Sequence, residues 1–149
     1  MPPPARGGAG RLALIANGGE EISQRYTLGL IFVGGFTGTL ARALLQTIIP
    51  GGDWPWATFA VNLAGAFALG MVSEYVIVSR ASQDRRTAVR FAIGTGLLGS
   101  FTTYSALAHQ VADAPAVSGL GYGLASVAGG VLLAAAGIAV GRRLWAETP

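Results

Sequence analysis

Hydrophobic positions along this chain fall into four long runs, separated by short stretches that are polar or rich in proline and glycine. The runs lie near Tyr26–Ile49, Pro55–Val78, Thr87–Val111 and Val117–Val140. Each is long enough to cross a hydrocarbon core, which takes roughly 20 helical residues. Pro50-Gly51-Gly52-Asp53 and Asp113-Ala114-Pro115 mark two of the turns, because Gly and Pro end helices there. The third connection, Ser79–Arg86, is polar and basic. The pattern therefore predicts an all-α membrane protein, with one compact domain of four transmembrane helices over residues 26–143.

The third run differs from the others. Gly94-Thr95-Gly96-Leu97-Leu98-Gly99-Ser100-Phe101-Thr102-Thr103-Tyr104-Ser105 is a polar, glycine-rich insert in an apolar span. A bilayer tolerates irregular backbone only where protein or a water-filled pathway satisfies the freed polar groups. The third helix is accordingly expected to break near Gly99–Thr102. Carbonyls freed there can coordinate a hard cation such as sodium, and the half-helix N-terminus beyond carries partial positive charge suited to an anion. The competing reading is an intact helix whose hydroxyls bond back to the preceding turn.

Composition agrees with a membrane setting: 52% of the 149 residues are hydrophobic and 11% charged, with a mean hydropathy of +0.53. Soluble domains carry about 25% charged residues. Cysteine is absent, which excludes disulfides and thiolate metal sites. Residues 1–25 are expected to form a disordered tail, since Leu12–Ala16 is too short for the apolar core of a cleaved signal.

The arginines predict an orientation. Arg6, Arg11 and Arg25 precede the first run, Arg80, Arg85, Arg86 and Arg90 surround the second connection, and Arg142 and Arg143 follow the last run. With four spans these regions share one face, and the two opposite loops carry only Asp53 and Asp113. Arginine is retained on the cytoplasmic side, so both termini are expected in the cytoplasm of a multi-pass cell-membrane protein. Span-end placement accounts for the basic charge without a nucleic-acid partner.

Few polar side chains enter the spans. Arg42 faces either a vestibule or, by snorkelling, the outer interface. Thr58 and Asn62 lie one turn apart on a single helix face. The Asn62 amide can replace water around a small anion or serve as glue between helices. Glu74, near the end of the second run, is expected to be solvated. Glycines at 34, 35 and 38, and at 119, 121 and 123, allow close helix packing.

Three motifs then point to a family. Gly34-Gly35-Phe36-Thr37-Gly38-Thr39-Leu40-Ala41-Arg42 is similar to a GGxxGAxxR pattern, with Thr39 in place of Ala. Thr58-Phe59-x-Val61-Asn62-x-x-Gly65-x-Phe67 matches TFxVNxxGxF, and Gly96-x-x-Gly99-Ser100-Phe101-Thr102-Thr103-Tyr104-Ser105 is close to GxxGGxTTFS. In this order and spacing they resemble the Fluc/CrcB family of small fluoride channels, from about residue 26 onward. The resemblance implies an antiparallel dimer of four-helix subunits with two narrow fluoride pathways. It also implies a structural sodium ion at the dimer centre, held by the carbonyls of Gly99 and Thr102. Asn62 would line the fluoride path with Thr58, Thr103 and Ser105 beside it, and Ser126 would match the family's polar-track serine through Tyr122-x-x-x-Ser126.

Departures from the family pattern TTFSTFxxE are equally specific: Tyr104 and Leu107 replace two phenylalanines, and Gln110 replaces an acid. Tyr104 keeps an electropositive ring edge, whereas Leu107 has none. His109, the only histidine, is read as a vestibule or interface residue. The expected partner in the antiparallel dimer is a second copy or a paralogous subunit, and nine arginines on one face, which would pin a single orientation, point to a separately encoded paralogue. The leading function is passive fluoride export that confers fluoride resistance. The alternatives are a non-conducting structural subunit and a small multidrug antiporter, the latter disfavoured by the lack of a carboxylate deep in the spans. No phosphate loop or catalytic constellation argues for an enzyme.

Overall fold

The computed structural model describes residues 8–49, 52 and 54–145, with side chains from residue 24 onward. Within them the chain is all-helical. Helix α1 spans Gly8–Ile48, α2 Trp56–Val78, and α3 Gln83–Val89. Then α3 passes without interruption into a π-helical stretch, Arg90–Leu98, and a last helical turn, α4, at Gly99–Phe101. After a break, α5 spans Tyr104–Asp113 and α6 Ala116–Trp145.

Among the described residues three helices are long and apolar enough to cross a membrane: α1 over Gln24–Ile48, α2 and α6. Their large apolar side chains point outward, with Phe32 76%, Ile77 71% and Val117 88% exposed. The interior is the reverse. Among the described residues the buried apolar side chains are Val61, Leu98 and Tyr122, against buried Thr58, Glu74, Thr103 and Ser126. An apolar exterior around a polar centre is the arrangement a bilayer solvent demands.

Two helix pairs build the bundle: α2 lies along α6, and α1 lies along the stretch from Arg90 to Phe101. Small residues bring the backbones into contact. A Cβ on Gly70 would collide with the Ala134 carbonyl, and one on Gly137 with that of Phe67. On the other pair, Gly34 meets Ala92 and Gly38 meets Leu97, so α1 and this stretch run in the same direction. Of the glycines expected to pack, Gly121 has open space around it.

Boundaries differ from expectation in two places. The second connection shrinks to Ser79–Ser82, because the Ser82 hydroxyl accepts from the Arg85 amide at 3.4 Å and starts α3, with Asp84 in its first turn. Arg142 and Arg143 belong to the last turn of α6 rather than following it. Helix α1 is described from Gly8; residues 1–7, including Arg6, lie outside the described residues. Of the turn Pro50–Asp53, only Gly52 is described.

Glu74 corrects the expectation of a solvated end residue. It is 4% exposed, and Arg142 Nε donates to its Oε1 at 3.0 Å. Beside the pair, Tyr75 and Trp145 meet edge to face at 5.2 Å. The extra turn of α6 beyond Val140 delivers both Arg142 and Trp145, which no pattern within α2 could reveal. This contact also places the C-terminal ends of α2 and α6 together, at the same end of the bundle as α3.

Candidate functional site

The helix breaks at Thr102–Thr103, at the downstream edge of the expected interval. The Thr102 amide and hydroxyl both bond to the Leu98 carbonyl, at 3.0 and 2.9 Å. The backbone then becomes extended at Thr102 (φ −77°, ψ 157°) and Thr103 (φ −145°, ψ 114°). The carbonyls of Gly99, Ser100, Phe101 and Thr102 are thereby left without the i+4 amide that a continuing helix would supply. The glycines before the break make a wide π-helical turn and a close approach to α1 rather than the break itself.

Asn62 clamps the break from α2. Its Oδ1 accepts from the Thr103 amide at 2.8 Å, and its Nδ2 donates to the Thr103 carbonyl at 3.1 Å. One carboxamide thus satisfies both main-chain groups of a buried, extended residue. The second Nδ2 hydrogen is not used by this pairing. Downstream, Thr103 Oγ1 caps α5 by accepting from the Ala106 amide at 3.2 Å and lies 3.2 Å from Ser105 Oγ.

A second polar line runs between α2, α5 and α6. Gln110 Nε2 donates to Thr58 Oγ1 at 2.9 Å, and the Tyr122 hydroxyl donates to Gln110 Oε1 at 2.8 Å. Trp54 stands edge-on to the Tyr122 ring at 5.2 Å. One turn further along α6, Ser126 Oγ is buried without a hydrogen-bond partner among the described residues. Its nearest polar group is the Tyr122 hydroxyl, whose hydrogen goes to Gln110 but whose oxygen can still accept weakly from Ser126.

Most of the expected site residues therefore converge. Asn62, Gly99, Thr102, Thr103, Tyr104, Leu107 and Ser126 line one cleft of about 410 Å³. Thr58 lines a second of about 570 Å³, together with Gln110, Tyr122 and Trp54. Tyr104 is 82% exposed on the lip of the first. Ser105 lines neither cleft, and touches the site only through Thr103. Arg42 is half-buried on α1, apart from both. His109 is on the surface with its ring nitrogen 4.0 Å from Asp113, a pairing that contributes little in water.

Reading the sequence alone assigned Gln110 only a lost acid and Tyr122 only a motif position. The stripe Gly119, Tyr122, Ser126, with the i+3 and i+4 spacing of one helix face, was the available signal for Tyr122.

Comparison with known proteins matches residues 29–138 to the model of the CrcB-like protein, Camphor Resistance (CrcB), family. The chain belongs to the CrcB family. A CrcB relative from Cutibacterium acnes, fluoride-specific ion channel FluC 1, is 44% identical over 72% of this chain and 79% of its own. Fluoride-specific ion channel FluC 2 of Leifsonia xyli subsp. xyli is 43% identical over 75% and 73%. The FluC of Chlorobium phaeobacteroides is 34% identical over 83% of this chain and 98% of its own. Family and fold together make this CrcB protein a multi-pass membrane protein.

In chemical terms, the CrcB site offers two donor sets. Hydroxyl and amide hydrogens of Ser126, Tyr122, Gln110, Thr58 and Asn62 suit a small, strongly hydrated anion. The Gly99 and Thr102 carbonyls, released from the helix, are hard oxygen donors whose chemistry fits a sodium ion.

Proposed function

We propose that this chain is a subunit of a passive, fluoride-selective channel. The observation that carries the proposal is Ser126. Its buried hydroxyl, with no polar neighbour but the already engaged Tyr122 hydroxyl, stands between the Tyr122–Gln110–Thr58 line and the cleft beneath Asn62. A donor held so weakly within an apolar exterior is suited to an anion that sheds water as it enters. The names of the relatives, fluoride-specific ion channels, support fluoride as that anion.

In this reading the anion leaves water at the cleft lined by Trp54, Gln110 and Tyr122, and the hydroxyls along α6 replace part of its hydration shell. Tyr122 and Gln110 must loosen their mutual bond to donate to it. The free Nδ2 hydrogen of Asn62 meets it next, while the other hydrogen keeps Thr103 clamped. Fluoride then crosses down its gradient and leaves the cell, which confers resistance.

Three further points belong to the same proposal. The exposure of Tyr104 at the lip of the cleft supports completion of the pathway by an antiparallel second subunit with a fourth membrane crossing through the α3–α5 segment. The one-sided arginines, with both termini cytoplasmic, support a paralogous partner, as do relatives numbered 1 and 2. Gly99 and Thr102 carbonyls would hold a sodium ion where the broken helices meet, and the ion would offset the negative ends of those carbonyl dipoles.

Glu74 bears on the antiporter alternative, because it is a buried carboxylate after all. Its ion pair with Arg142 supports a structural role instead, since proton coupling requires a carboxylate able to release its partner. The test is fluoride efflux from liposomes, read by a fluoride electrode with chloride as control, for the protein alone and with its paralogue. Selective efflux in either preparation is expected. Silence in both, from folded protein, would leave the non-conducting subunit as the reading.

A further inference from the structure

The arginine-rich end of the bundle holds a feature outside the anion route proposed above, although its apolar part shares Leu69 and Gly94 with the first cleft. Two cavities meet there between α2 and the third helical segment, sharing Val76 and Arg90 as common walls. One is a groove of about 410 Å³ walled by Leu69, Val72, Val76 and Ile77 of α2, with Gly94 opposite. From Leu69 to Ile77 it follows α2 for about 12 Å. The other is a polar pocket of about 160 Å³ formed by Gln83, Arg86, Thr87 and Arg90.

The pocket is built rather than merely basic. Arg86 is held in place by donation to Gln83 Oε1 at 2.8 Å and to the Val76 carbonyl at 3.4 Å, yet its Nε is buried without a partner. Neither Arg86 nor Arg90 forms an ion pair among the described residues, although Asp84 lies on the same short helix. Retention of positive charge at span ends explains why arginines are here. It does not explain a cavity around them, nor an apolar groove that opens from it. The pocket also lies beside the last residues of α2's apolar length, the level where hydrocarbon gives way to headgroups.

We propose that an anionic phospholipid occupies the joined cavities, with its phosphate on Arg86 and Arg90 and one acyl chain along the α2 groove. Planar guanidinium groups match phosphate oxygens in charge and geometry. Basic pockets between helices at the membrane surface bind such headgroups. The exposed flanks of the groove, Leu69 at 46% and Ile77 at 71%, are then covered by a lipid that belongs to the protein rather than to the bulk bilayer. The proposal holds whichever ion the subunit conducts.

Native mass spectrometry of the full-length protein in detergent tests it, with dioleoyl-phosphatidylglycerol, dioleoyl-phosphatidylcholine and glycerol phosphate as probes. Phosphatidylglycerol adducts are expected at roughly tenfold lower concentration than phosphatidylcholine adducts, a difference typical of one well-placed charged contact. Arg86→Gln/Arg90→Gln should erase that preference, and Arg86→Lys/Arg90→Lys should keep most of it. If the double glutamine variant does not fold, Arg90→Gln alone should reduce the preference. Ser73→Trp, which fills the groove from a side chain lining it, should weaken both lipids. Equal retention of the two lipids, or unchanged preference in the glutamine variants, would overturn the proposal. So would competition by glycerol phosphate at lipid-like concentrations, which would make this a free-phosphate site. Dissociation of the assembly by Ser73→Trp with lipid adducts unaffected would assign the groove to a second subunit and also overturn it.

Discussion

Asn62 and Ser126 are both polar, both near the middle of the bundle, and bonded in opposite ways. Asn62 uses each end of its carboxamide on one residue, Thr103, and so turns a break in a helix into a rigid junction. Ser126 is 7% exposed and has no partner closer than a weak contact with the engaged Tyr122 hydroxyl. The contrast teaches where stability and transport reside: firmly bonded polar groups hold the broken helix in shape, and the weakly held one is left for the anion. Substitutions at the two places should therefore fail differently.

The largest effect is expected at the junction. Asn62→Leu strands the amide of buried Thr103, and a buried orphan donor plus a lost bond costs about 2–4 kcal/mol. Purified protein should unfold at clearly lower temperature by detergent thermal-shift, and flux should fall with it. Gly65→Val sharpens the same point, since even a Cβ at that position collides with Thr102 Cγ2. Ser126→Ala should do the reverse, with the unfolding midpoint unchanged or slightly raised and flux reduced about tenfold or more, the worth of one charge-assisted hydrogen bond.

Gln110→Glu breaks the comparison in a third way. The carboxylate can still accept from Thr58 and Tyr122, so the line of contacts is kept, but an ionisable group now stands in the anion's path. Flux should fall as pH rises through its titration, because the ionised form repels fluoride, and a pH series in liposomes reads this directly. The wild-type chain should lack that dependence. The smallest effect is expected from His109→Ala. Its pairing with Asp113 is exposed and 4.0 Å long, so stability should change by less than about 0.5 kcal/mol.

Residue pattern and motifs reach the break, because three glycines and five serines and threonines cannot sit idle in an apolar span. They misjudge what the glycines do. Gly94 and Gly96 lie in the π-helical stretch, and it is Thr102 and Thr103 that turn extended, under the pull of Asn62. Periodicity also reaches the ends of α2 and the turn at Ala114-Pro115 within two residues. What stays hidden is long-range. Gln110 joins residues 52 and 12 positions away, and nothing local distinguishes that role from a lost acid. Glu74 is the same case, since its burial depends on how far α6 extends.

The most direct test of the central claim is the fluoride efflux rate of Ser126→Ala against wild type, in liposomes containing whichever assembly conducts. A fall of about tenfold or more with an unchanged unfolding midpoint is the predicted result. Efflux equal to wild type from the folded variant would contradict the account, because the Ser126 hydroxyl would then have no part in moving the ion.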